Sequence, residues 1–218
     1  MWRSMFFILG SCILWPDAIA DPLFLVNFQA KFNGGFGFPG VSMAGSYEFE
    51  LQPPIAIVNN GTTALYAMQS ASIDLNGGAV STTPSQIRVD NDLILNTPGF
   101  LRDGYFATAL LSGTFMGDFA LQGAGLDFEQ GSAAPAAFNS LDLPTSVADL
   151  SGFGPSDLRS AFLVFEDLQQ GGLFAINGDL EDLAISEVPE PPMAIPLCAL
   201  GLGLVVWSQR HMARKCVS

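Results

Sequence analysis

Phe24, Val26, Phe28, Ala30 and Phe32 recur at every second position, and so do Met43, Gly45, Tyr47, Phe49 and Leu51 against Ala44, Ser46, Glu48 and Glu50. A period of two commits a chain to strands with one face inside and one face wet. Further short strand candidates run over 65–75, 86–89, 104–111, 125–128, 161–165, 173–176 and 180–185. Asn-Gly pairs at 33–34, 60–61, 76–77 and 177–178 supply the turn chemistry that tight hairpins prefer. Many short strands with Gly-rich turns and half-polar faces predict an all-β fold, a two-sheet antiparallel sandwich of jelly-roll type. The stretch 141–158 reads as a loop with one helical turn at 156–159.

What the strand-rich body lacks bears on function. Between residues 21 and 190 there is no cysteine and no histidine, since Cys12, Cys198, Cys216 and His211 all lie outside it. A disulfide framework, Cys/His zinc sites, Ser-His-Asp triads and Cys-His pairs are thereby excluded from this region. The same span holds twenty acidic residues against four basic ones (Lys31, Arg88, Arg102 and Arg159), a net charge of 4 − 20 = −16. Such a surface repels nucleic acid and anionic headgroups. About 170 residues suffice for one domain with a sizeable core.

The two ends read as processing segments. Arg3 precedes an apolar run from Met5 to Trp15, Pro16 breaks it, and Ala18-Ile19-Ala20 is a small-residue cleavage site. Residues 1–20 are therefore expected to be a signal peptide, with Ala18 and Ala20 read by signal peptidase and Asp21 as the new N-terminus. Cys12 fits a lipoprotein box less well, because the apolar run continues past it. At the other end Val188-Pro189-Glu190-Pro191-Pro192 leads into an apolar run from Met193 to Trp207, followed by Arg210, Arg214 and Lys215. Three prolines within four positions hold this stretch extended and remove amide donors. Fifteen apolar residues make a helix of roughly 22 Å, shorter than a bilayer core of about 30 Å. The expectation is a short transmembrane helix over 193–209, with Trp207 as interfacial anchor and a basic cytoplasmic tail over 210–218. A plain single-pass anchor with a Pro-rich stalk is the alternative.

This arrangement of Pro189-Glu190-Pro191, apolar run and basic end resembles the PEP-CTERM sorting signal of exported bacterial proteins. The resemblance implies processing by an exosortase at residues 188–192, with transient membrane attachment through the C-terminal helix. It also implies delivery across the inner membrane to the cell surface or extracellular matrix. The body, 21–187, is similar to uncharacterised members of that group through Gly45-Ser46-Tyr47-Glu48-Phe49, Arg88-Val89-Asp90-Asn91-Asp92, Phe162-Leu163-Val164-Phe165 and the closing Leu180–Ser186. That likeness implies a β-sandwich and no defined reaction.

Within the body, Asp90, Asn91 and Asp92 cluster oxygen ligands in an expected turn, a candidate Ca²⁺ site although the spacing is not that of an EF-hand. The alternative is an Asx turn capping its own backbone. No other cofactor is indicated. Glu48 and Glu50 share a strand face, the arrangement of a glycosidase pair, but more simply the wet side of a sheet. Phe36 and Phe38 are candidates for sugar stacking or for core contacts made by a loop. Three functions follow: a structural or interaction protein of the envelope with no catalytic residues, a module binding exopolysaccharide, and a carboxylate-based glycan enzyme.

Overall fold

The computed structural model describes residues 21–33, 40–94, 99–115, 119–169 and 171–189. The described residues form eleven strands: β1 (Leu23–Phe32), β2 (Val41–Glu50), β3 (Ala56–Val58), β4 (Thr63–Ala67), β5 (Ser70–Leu75), β6 (Gly78–Ile94), β7 (Leu101–Ser112), β8 (Thr114–Phe115), β9 (Phe119–Ser132), β10 (Leu158–Asp167) and β11 (Leu173–Glu187). All pairings are antiparallel. Along the sheet the order is β3-β4-β6-β5-β2-β1-β11-β10-β9-β7, and β7 also pairs with β6. That last pairing joins the sheet to itself and makes a closed barrel of eight staves, β6-β5-β2-β1-β11-β10-β9-β7.

The two-sheet sandwich is therefore corrected to a barrel. Its physical origin is strand length and bulging. β6, β9 and β11 run 17, 14 and 15 residues, far longer than the short segments the alternation picks out. Ladder irregularities at Gln29/Ala30, Pro84/Gln86, Asp90/Leu93 and Val164/Phe165 interrupt the period of two while the pairing continues. Each bulge bends and twists its strand, and together they coil one sheet until its edges meet. The bulge at Pro84 also absorbs a residue that has no N–H for the ladder.

Turn chemistry explains the connections in part. Asn76 and Gly77 take φ of 53° and 81° and close the β5–β6 hairpin as a two-residue turn. Asn177-Gly178, in contrast, lies inside β11. Gly178 is there because the Phe32 ring packs over it, within 2.8 Å of where a Cβ would sit. The helical turn of the 141–158 loop is a 3-10 turn at Val147–Leu150, nine residues earlier than expected, where the Ser146 and Asp149 side chains cap each other's backbone.

The lumen is filled. Val26, Phe28, Met43, Tyr47, Phe49, Ile87, Val89, Tyr105, Leu126, Phe128, Leu163 and Phe165 are buried in one apolar cluster. Gly45 faces inward to admit the Phe28 ring. The Tyr47 and Tyr105 hydroxyls satisfy each other at 2.5 Å. Burial, then the neighbouring Tyr105, holds the Tyr47 phenol well above its ordinary value, and both phenols stay protonated. One mouth is capped by the loop from 133 to 157, which buries Leu143, Leu150 and Phe153 in the core, Phe153 edge-on to Phe128. The Asp103 carboxylate, fully buried, stitches that cap on by accepting from the Asp92 and Phe138 backbone N–H groups.

Both ends of the body leave at this same capped mouth. Val188 N–H donates to the Leu23 carbonyl at 2.7 Å, and Leu51 N–H donates to the Pro22 carbonyl at 3.1 Å. Everything that closes the barrel thus lies within 23–187. Ala18, Ala20, Glu190, Pro191, Trp207, Arg210, Arg214 and Lys215 lie outside the described residues, as do Phe36 and Phe38. The expected transmembrane helix is not upheld: among the described residues no helix is long and apolar enough to cross a membrane. The span 193–209 is itself outside them.

Candidate functional site

Two cross-strand rows on the outer wall carry a cluster of charged side chains around the buried Asp90. The first row runs Thr63, Asp90, Gly104, Glu129, Leu158 across β4, β6, β7, β9 and β10. The second, two residues along, runs Leu65, Arg88, Phe106, Asp127, Ser160. Asp90 is outward by alternation with Ile87 and Val89, yet it is 0% exposed. Its cover is made of donors. Thr63 Oγ1 donates to Oδ1 at 2.6 Å, Arg88 Nε donates to Oδ1 at 2.8 Å, and the Arg88 and Arg102 guanidiniums each reach Oδ2 at 2.8 Å.

Arg102 also donates to Glu129 at 3.0 Å, so it bridges two carboxylates. The Phe106 ring lies between the arginines, with the Arg88 and Arg102 guanidinium carbons 5.3 and 5.0 Å from its centroid. Gly104 is required beneath that ring, because a Cβ there would fall 2.4 Å from it. Two of the body's four basic residues are thereby consumed internally, while Arg159, seated over Phe128, stays exposed. The acidic surface is left with little to offset it.

The Asp90-Asn91-Asp92 segment is a β-bulge. Asp92 sits at φ 54° and its N–H goes to Asp103, while Asn91 N–H goes to the Thr62 carbonyl. The three residues are tied to different partners: Thr63, Arg88 and Arg102 hold Asp90, Thr62 holds Asn91, and Asp103 holds Asp92. Arginines hold the place beside the Asp90 carboxylate that a Ca²⁺ would need. Among the described residues no group of three or more His, Cys, Asp or Glu side chains is arranged to hold a metal. Glu48 and Glu50 do lie on the wet side of β2, with Glu48 accepting from Ser70 Oγ at 2.7 Å.

Sequence reasoning missed Asp127. Burial, then the neighbouring Glu129 carboxylate, pushes its carboxyl up to about 6, against the pull of Arg102. Its Oδ1 is buried without a hydrogen-bond partner, and so are Ser160 Oγ beside it and Arg102 Nε. The signal was present only as an alternation, Asp127 and Glu129 on one strand face. What buries them is the pairing to β7 and β10, which the alternation does not reveal. A carboxyl with a raised value beside a second carboxylate is a pattern met in acid–base sites, but this one sits on a convex wall.

A concavity among the described residues lies elsewhere, in the cap at the barrel mouth. A cleft of about 420 Å³ is lined by Ala137, Phe138, Asn139, Ser140, Asp142 and Asp149 among others. Asp149 is occupied with the backbone N–H groups of Thr145 and Ser146, hydrogen bonds that lower its carboxyl below the ordinary range despite the opposing effect of desolvation. Asn139 and Asp142 are exposed. Comparison with protein-family models, curated proteins and solved structures gives no match to this chain.

Proposed function

We propose that this chain is an exported bacterial envelope protein whose barrel acts as a structural or interaction module without catalysis, delivered through the Pro189-Glu190-Pro191 signal. The observation that carries the reading is the exit geometry. Both flanking segments leave the barrel side by side at one mouth, through the Val188–Leu23 and Leu51–Pro22 hydrogen bonds. Trimming by signal peptidase before Asp21, and by an exosortase-type enzyme near Pro189, would leave every stave in place. A lumen packed with buried apolar side chains supports contact through the outer surface. The net charge of −16 over residues 21–190 favours a soluble, unaggregated surface component and disfavours nucleic acid.

A second reading, binding of exopolysaccharide, is favoured by the cap cleft with Asn139, Ser140 and Asp142 on its rim. Short polar side chains beside a partly buried aromatic such as Phe138 suit a neutral polyol. Two experiments separate the readings. Replacing Glu190 by Ala in the native host should retain a longer form in the cell envelope, and unchanged fractionation would refute the sorting step. Residues 21–189 incubated with host polysaccharide should neither be retained nor cleave it. Retention that Asp142→Ala abolishes would favour the second reading.

A further inference from the structure

β3 is the end of the sheet path: it pairs with β4 through Ala56↔Leu65, Ile57↔Ala64 and Val58↔Thr63, and has no strand on its other side among the described residues. It extends the line of β2 past the start of β1, so β1 does not cover it. Edge strands are ordinarily blunted by charge, by a bulge or by a cover, because their free N–H and C=O groups template further pairing. β3 carries no charge. Its larger side chains are instead apolar and wet, Ile57 60% and Val58 40% exposed, and Ile55 just before it is 66% exposed. Ile94, 71% exposed, adds to this surface across a shallow groove lined by Asn59, Asn60, Thr62 and Leu93.

The charge pattern names the occupant. From Leu51 to Ile73 there is no charged residue, in a chain of net charge −13. Two copies repel one another over the rest of their surfaces, so this uncharged sector is where they approach at least electrostatic cost. An edge that meets itself antiparallel about a twofold axis presents identical rows of donors and acceptors, and its apolar side chains cover their own counterparts. We infer that β3 is a homotypic pairing edge, through which two barrels join their sheets with Ile57 at or near the twofold. This concerns how the body associates and does not depend on the route by which the chain leaves the cell.

The test is sedimentation velocity on residues 21–189, which contain the whole barrel, from micromolar to about 1 mM. Reversible dimerisation is expected, and it should strengthen as salt rises because screening relieves the repulsion between acidic walls. Ile57→Lys should weaken association at least tenfold with an unchanged melting temperature, whereas Leu173→Lys, equally exposed on the β10–β11 hairpin, should leave it intact. Hydrogen exchange at 56–58 should slow at high concentration, a readout that needs no variant. A monomer throughout the range, a dimer indifferent to Ile57→Lys, or one that salt dissolves would overturn the inference.

Discussion

Replacing Asp90 by Ala removes the centre of the outer-wall network, and the structure sets the size of the effect. The carboxylate accepts from Thr63, from Arg88 twice and from Arg102, all at 2.6 to 2.8 Å, and is itself 0% exposed. Deleting one partner of a buried ion pair costs about 3–5 kcal/mol, because the remaining charges are left uncompensated. Here the side chains of Arg88 and Arg102 are 32% and 16% exposed, so both guanidiniums recover some water, and Arg102 keeps Glu129. The lower end of the range, about 3 kcal/mol, is therefore expected. For a domain of this size that is a fall in melting temperature of roughly 6–12 °C. Urea and thermal unfolding of residues 21–189 followed by circular dichroism measure it, with exposed Glu181→Ala as a control expected to change little. A loss below about 1 kcal/mol would refute the claim that this network is a buried structural joint. So would a rise in melting temperature of the unaltered protein with millimolar Ca²⁺ that Asp90→Ala abolishes, since that outcome would return the segment to the metal reading.

Two further outcomes follow from the same wall. Asp127 binds its proton more tightly folded than unfolded, so stability should fall as pH rises from about 4 to about 6 and then level off. Asp149 acts in the opposite sense and lower down, its contribution being lost as pH falls through its depressed value. Asp127→Asn should flatten the upper slope, worth on the order of 1 kcal/mol after solvent screening; an unchanged slope in pH-dependent unfolding would refute it. Gly125→Ala should destabilise by about 3 kcal/mol or prevent folding, because the added Cβ would fall 1.7 Å from the Ala107 carbonyl oxygen of the adjacent stave. A soluble variant of unaltered melting temperature would contradict the register of β7 on β9.

The strand content was legible in the alternation of Phe24 to Phe32 and of Met43 to Phe49, and the Asn76-Gly77 turn in its residues. Closure was not. It depends on bulges at Pro84 and after Asp90, where the alternation fails locally and reads as a strand ending instead of a strand bending. Gly178 misled for a related reason: a glycine after Asn satisfies turn chemistry, but in β11 it clears room for a ring arriving from β1, a contact 146 residues distant in sequence that no local pattern contains. The candidate site divides in the same way. Asp90 stands out as an acidic residue in an Asx cluster, but the arginines that bury it come from the same strand and from the next one across a bulge. Glu48 and Glu50 were read correctly as the wet face of β2 because nothing beyond alternation is needed to place them.

Delivery of an intact barrel through trimming at both ends is the central claim, and one intact-mass measurement on the protein recovered from its native host tests it most directly. The proposal predicts a surface or extracellular species that begins at Asp21 and ends near Pro189 to Pro191, well below the 23.1 kDa of residues 1–218. A species of 23.1 kDa or more, still carrying both flanking segments in that fraction, would contradict it.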